Sequence, residues 1–262
     1  MTLASVFEKT RAEGRGALVG YLPAGYPSVS ESADLLTGMI EAGCDIVEVG
    51  VPYSDPVMDG PTIQAAATAA LSAGFRLRDV FTVVERVSAA GGKAVVMTYW
   101  NPVFHYGVDR FARDLAAAGG LGIITPDLIP DEGADWLEAS EAHGLDRIFL
   151  VAPSSTEERI ASTTAATSGF LYATAVMGVT GARDAVGAGA SALVARARAH
   201  TSLPIGVGLG VRSGEQAAEV AGFADAVIVG SAFVAKAAGG VGEVQTLAAE
   251  LAEGVRRPLV TR

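Results

Sequence analysis

Few of the residues that usually carry covalent or metal chemistry occur in this sequence. There is one cysteine, Cys44, so no disulfide framework and no multi-cysteine metal site can form. There are three lysines (Lys9, Lys93, Lys236) and three histidines (His105, His143, His200). Arginine makes up 16 of the 19 Lys+Arg residues, and a composition bias is the simple explanation. Aromatic residues reach only 6%. The longest stretch free of Asp, Glu, Lys and Arg, 160–182, is broken by serines, threonines and glycines, so it is no membrane span. The N-terminus lacks the basic start and apolar centre of a signal peptide, and a cytoplasmic protein is expected. The formal net charge of −10 argues against nucleic acid and anionic lipid as partners.

What is abundant is small and apolar. Half of the 262 residues are hydrophobic, and glycine, at 32, is well above the usual ~7%. Short β-branched runs alternate with alanine-rich helical stretches. The pattern predicts eight strands, at 17–22, 45–50, 94–98, 121–125, 147–151, 169–174, 204–208 and 225–229. Helical spacing falls between them, at 31–42, 62–72, 77–90, 108–118, 132–143, 156–166, 188–200 and 213–221. A last helix covers 242–254, and a short extra helix, Ser5–Gly14, precedes the first strand. Such alternation implies parallel strands joined by right-handed crossovers. Eight units in this length fit a closed (β/α)₈ TIM barrel of one domain, 1–262, better than an open doubly wound sheet. Chemistry in such a barrel gathers at the C-terminal ends of the strands.

Strand 2 carries one charge in an apolar run. Side chains alternate along a strand, so Ile46, Glu48 and Gly50 share one face and Val47 and Val49 the other. The valines suit helix packing, which turns Glu48 into the barrel. A carboxylate there is costly unless paired or working, and desolvation would raise its pKa into a proton-shuttling range. No predicted strand offers an arginine at its upper end to pair with it. The loop that follows holds Asp55 and Asp59. Asp55 before Pro56 reads as structural, and Asp59 as either turn chemistry or a second functional acid. Pro61 suits a first helical position.

Two glycine clusters follow the last two strands: Gly206, Gly208, Gly210 and Gly214 after strand 7, and Gly230-Ser231 opening a helix after strand 8. Backbone N–H groups freed by glycine, with a helix start behind them, suit a phosphate. The loop after strand 6, with Gly178 and Gly181 flanking Val179-Thr180, reads as a mobile lid or as an ordinary flexible loop. Tyr172 shares a face with Phe170 near the mouth, where packing and catalysis are both open readings. The lysines precede a strand or lie in helices, the histidines are scattered over a loop (His105) and two helix ends, and Cys44 lies on the wrong face. What remains is carboxylate acid–base chemistry on a phosphorylated small molecule.

The segments EVGVPYSDPVMDGPTIQ (48–64), YWNP (99–102), GVTGA (178–182), GLGVRSGEQ (208–216) and GSA (230–232) together resemble the α subunit of tryptophan synthase, over nearly the whole chain. The first segment is the most specific, with its two acids eleven residues apart. The resemblance implies a (β/α)₈ barrel that cleaves indole-3-glycerol phosphate to indole and glyceraldehyde 3-phosphate. It assigns Glu48 as the general acid–base and Asp59 as the carboxylate facing the indole N–H. Tyr172 falls beside the reacting carbons, Tyr21 in the wall of the indole pocket, and Thr180 on the lid. Gly181, Gly210, Gly230 and Ser231 fall on phosphate-binding positions. It also implies an α₂β₂ complex with a pyridoxal-phosphate β subunit, docked at the barrel mouth through loops 2, 3 and 6. This chain itself should hold no cofactor and no metal. The sequence departs from the family pattern at Pro126–Pro130, where Ile129 follows Asp-Leu, and at Met58 beside Asp59. The competing readings are another phosphosugar barrel, such as an isomerase or decarboxylase, and a barrel that only activates a partner. The first usually needs a lysine at a strand's upper end, and the second predicts loss of an acid or of the lid.

Overall fold

Alternation of short β-branched runs with amphipathic helices folds here into one parallel ring. The computed structural model describes residues 2–175 and 183–257. The chain opens with helix α1 (Leu3–Ala12), then runs β1 (Ala17–Pro23), α2 (Val29–Glu41), β2 (Ile46–Gly50), α3 (Pro61–Ser72) and α4 (Asp79–Ala89). Next come β3 (Ala94–Met97), α5 (Trp100–Tyr106), α6 (Val108–Ala117), β4 (Gly122–Ile124) and α7 (Ala134–His143). Two very short strands, β5 (Asp146–Ile148) and β6 (Leu150–Val151), precede α8 (Glu157–Ala166), β7 (Leu171–Thr174) and α9 (Arg183–Arg198). The chain finishes with β8 (Ile205–Gly208), α10 (Gly214–Ala221), β9 (Ala226–Val229), α11 (Ser231–Ala237) and α12 (Val241–Val255).

The nine strands found among the described residues pair in parallel in the order β5-β4-β3-β2-β1-β9-β8-β7-β6. The expected fifth strand, 147–151, is therefore split in two. Its first half pairs with β4 and its second half with β7. Phe149, between the halves, accepts the Tyr172 N–H at 3.1 Å. One continuous segment thus joins the two ends of the sheet and closes a (β/α)₈ barrel, with eight strand positions made by nine short strands.

Alternation along the strands separates two apolar cores. Ala17, Val19, Ile46, Val95, Ile124, Ile148, Phe170, Ala226 and Ile228 fill the barrel interior. Helix α1 plugs its lower end, with Leu3 and Phe7 in the same cluster and the Phe7 and Phe170 rings 5.6 Å apart. The plug is tied at its start by a reciprocal cap between Thr2 and Ser5. Val47, Val49 and their counterparts face outward into the strand–helix layer. Beside the plug, Arg15 makes a two-pronged bond to Asp45 at 2.7 and 2.8 Å, and Asp45 also accepts the Leu18 N–H at 2.9 Å. Asp45 therefore fixes the lower ends of β1 and β2 against each other and takes no part in the mouth.

Three local expectations need correction. His105 lies in the last turn of α5, not in a loop. Gly206 and Gly208, counted both in the expected strand 204–208 and in the glycine cluster after it, belong to the strand, β8. Helix α9 begins at Arg183, five residues before the stretch its spacing suggested. No described helix is long and apolar enough to cross a membrane.

Candidate active site

The β1–β2 register places Tyr21 opposite Glu48, and the β2–β3 register places Glu48 beside Val95. Glu48 points inward as its strand face demands. It is only 1% exposed. Its Oε1 has no hydrogen-bond partner among the described residues. Among the described residues no cation pairs with it, so the structural ion pair that could have explained a buried acid is not present among them. Burial alone pushes its carboxyl up to about 8. At neutral pH most of the Glu48 population holds its proton, in a place where a proton can be given and taken back.

Above Glu48 opens a cavity of about 470 Å³ at the C-terminal ends of the strands. Glu48, Asp59, Tyr21, Tyr172, Gly210, Gly230 and Ser231 all line it. Thr180 and Gly181 lie outside the described residues. Seven of the nine residues singled out from sequence therefore converge on one space, although they come from five different strand ends.

Asp59 reaches the cavity from the loop after β2. Pro61 starts α3, and the Gln64 side chain donates to the Asp59 carbonyl at 2.7 Å, which pins the loop to its helix. A second tether comes from the loop after β3. The Tyr99 hydroxyl accepts the Met58 N–H at 3.0 Å. Partial burial raises the Asp59 pKa above its ordinary value, and a hydrogen bond from Tyr99 opposes that rise. Tyr99 is itself buried, with its ring 5.2 Å from that of Tyr53. Asp55 accepts from the neighbouring Ser54 hydroxyl at 2.5 Å and stays out of the cavity lining, in keeping with a structural role. In the Pro126–Pro130 segment, Asp127 accepts the Trp100 N–H at 2.9 Å and so caps the start of α5.

The two tyrosines owe their positions to glycines. A Cβ on Gly50 would collide with the Tyr21 ring, and a Cβ on Gly208 would stand 2.5 Å from the Tyr172 hydroxyl. Gly206 similarly faces Phe170 and Ile228. These strand glycines make room for rings, and Gly208 also lines the cavity next to Gly210. Gly210 differs, because its φ of +71° turns the loop after β8 into the cavity. Burial, followed by the charges of Asp59 and Glu48, pushes the Tyr21 hydroxyl's pKa up. Burial and Glu48 do the same for Tyr172.

Lys93, Lys9, Lys236 and the three histidines stay away from the lining. Cys44 is buried outside it, with its thiol pKa raised by burial. Among the described residues no three His, Cys, Asp or Glu side chains converge as metal ligands would. The residues that sequence reasoning missed are Tyr99 and Arg212. Arg212 lines the cavity next to Gly210. The signal for Tyr99 was in the YWNP segment, but its contact with residue 58 spans 41 positions and leaves no local trace.

Comparison with known proteins agrees with this geometry. The chain matches the family described as "Tryptophan synthase alpha chain" over residues 7–257. The tryptophan synthase alpha chain of Nocardia farcinica is 66% identical over 258 residues, covering 98% of this chain and 97% of the relative. That of Mycobacterium marinum is 65% identical over 255 residues, covering 97% and 95%. A solved structure of Mycobacterium tuberculosis tryptophan synthase superposes with a TM-score of 0.93 at 61% identity, covering 97% of this chain and 98% of that one. The tryptophan synthase subunit alpha from Legionella pneumophila retains a TM-score of 0.88 at 30% identity, with 97% and 98% covered. With the family match spanning almost the whole chain and both acids lining one cavity, this protein belongs to the tryptophan synthase alpha chain family.

Proposed function

We propose that this chain cleaves indole-3-glycerol phosphate to indole and glyceraldehyde 3-phosphate, the α reaction of tryptophan biosynthesis, with Glu48 and Asp59 as its catalytic carboxylates. The observation that carries the proposal is Glu48: inward, unpaired, and largely protonated at neutral pH at the floor of the cavity. Protonated Glu48 gives its proton to carbon 3 of the indole ring. The ring becomes an indoleninium ion, which is its own electron sink. Glu48, now a carboxylate, takes the proton of the glycerol hydroxyl next to the ring. The bond between carbon 3 and the glycerol chain breaks, its electron pair returns to the ring, and the released carbon becomes an aldehyde. Neither a Schiff base nor a metal is needed for the electron count to close. Asp59 faces the positive charge that builds on the ring N–H, where a fixed carboxylate counts most in the transition state.

The remaining lining residues supply shape and grip. Tyr21 walls the indole side of the cavity and Tyr172 stands beside the reacting carbons. Gly210, Gly230 and Ser231 supply N–H and hydroxyl donors to the phosphate. The partner in this reading is a pyridoxal-phosphate β subunit, which carries the cofactor of the pair and receives the indole. Among the described residues, the exposed large apolar side chains Val57, Met58, Phe104 and Ile129 sit on segments following β2, β3 and β4 at the barrel mouth, as a docking face there requires. Met58 is 49% exposed on that face and also lines the cavity beside Asp59.

The test is indole release from indole-3-glycerol phosphate by the purified chain, with and without the β subunit. Asp59→Asn should lower kcat with a smaller effect on KM. A change in KM alone would make Asp59 a binding group, and no indole in either condition would end the lyase reading.

A further inference from the structure

A dianionic substrate meets an electrostatic obstacle in this protein. The formal net charge is −10, and the Asp59 carboxylate lines the cavity it must enter, beside a Glu48 that is largely protonated at neutral pH. A phosphate monoester adds roughly −1.5 to −2 at pH 7. Neutral N–H donors at glycines offset only part of that repulsion. Among the described residues of the lining, one side chain is cationic, Arg212. Several arginines away from the cavity are answered by acids, as in Arg15–Asp45, Arg86–Asp34 and Arg196–Glu157. No acid among the described residues pairs with Arg212.

Its backbone is held while its side chain is exposed. The Arg212 N–H donates to Gln216 Oε1 at 2.8 Å, and the Ser213 hydroxyl accepts the Gln216 N–H as the cap of α10. Val211, 1% exposed, anchors the preceding position, and Gly210 makes the turn. The loop thus delivers a guanidinium to the same rim of the cavity as Gly210 and leaves it uncommitted. A guanidinium matches phosphate oxygens in a planar, two-pronged fashion that a lysine cannot.

The geometry points to Arg212 as the side chain that selects for the phosphate of the substrate, a specificity-determining residue that adds positive charge to the glycine donors. This rests on the lyase reading above. The experiment compares the protein with its Arg212→Gln and Arg212→Lys variants, each with saturating β subunit. Arg212→Gln should raise KM for indole-3-glycerol phosphate by about threefold to tenfold, the range for an exposed charge-assisted contact, while kcat stays within about twofold. Inorganic phosphate should compete less well in Arg212→Gln than in the unmutated enzyme, and Arg212→Lys should recover part of the loss. Free indole, which has no phosphate, should compete equally in all three and so reports an intact pocket. In the unmutated enzyme, raising NaCl from 50 to 500 mM should raise KM for the phosphate ester and leave competition by indole unchanged. An unchanged KM in Arg212→Gln, or an equal loss for indole and phosphate, would overturn the assignment. Calorimetric titration with inorganic phosphate alone separates the two claims: phosphate binding that depends on Arg212 in a chain that releases no indole sinks the lyase reading and keeps this one.

Discussion

The Tyr99 hydroxyl stands 3.0 Å from the amide nitrogen of Met58, the residue just before Asp59. One phenol therefore joins the loops after β2 and β3 and also holds down the pKa of the Asp59 carboxyl. Tyr99→Phe removes both bonds and leaves the ring stacked on Tyr53. We expect kcat to fall about fivefold to thirtyfold, the value of one or two hydrogen bonds. The acidic limb of the pH–rate profile should move to higher pH, because Asp59 loses the bond that favours its charged form. An acidic limb that stays in place would show that Tyr99 only packs.

Glu48 links activity to stability. Its folded pKa of about 8 lies far above the ~4.3 of an unfolded glutamate. The folded state therefore keeps a proton that the unfolded state releases, and stability falls as pH rises through that window. Glu48→Gln has no such titration. Its stability relative to the parent should grow between about pH 5 and about pH 8, with a slope approaching ~1.4 kcal/mol per pH unit. Urea unfolding at several pH values measures it. A constant difference across the window would mean that Glu48 titrates normally.

How much of this was readable in advance differs from residue to residue. Each expected strand is found within about two positions of its place, since β-branched runs between helical stretches leave few alternatives. Inward Glu48 followed from alternation alone. Helix α5 was not legible, because Pro102 reads as a breaker. It sits in the first turn, where its missing N–H has no intrahelical partner to lose. Gly208 and Gly206 read as phosphate glycines, and only the approach of the Tyr172 hydroxyl to the first and of Phe170 and Ile228 to the second shows why they are small. Arg212 was not legible, because glycine N–H groups alone account for an anion site in the sequence, and only the fold puts Arg212 and the Asp59 carboxylate in one cavity.

The glycine argument gives its own test. Gly208→Ala would place a methyl 2.5 Å from the Tyr172 hydroxyl and should destabilise the protein by about 1–3 kcal/mol through overpacking. It should also raise KM by displacing the ring. Adding Tyr172→Phe removes the clashing oxygen and should recover part of the stability. Strict additivity of the two substitutions would contradict the contact.

The central claim is that the buried, unpaired carboxyl of Glu48 moves the proton. Its most direct measurement is kcat for indole release by Glu48→Gln in the presence of the β subunit, with binding of indole-3-glycerol phosphate followed separately. General acid–base catalysis by one group accounts for about 10²–10⁴ in rate. The account predicts a loss of at least that size with substrate binding retained, whereas turnover within about tenfold of the parent would contradict it.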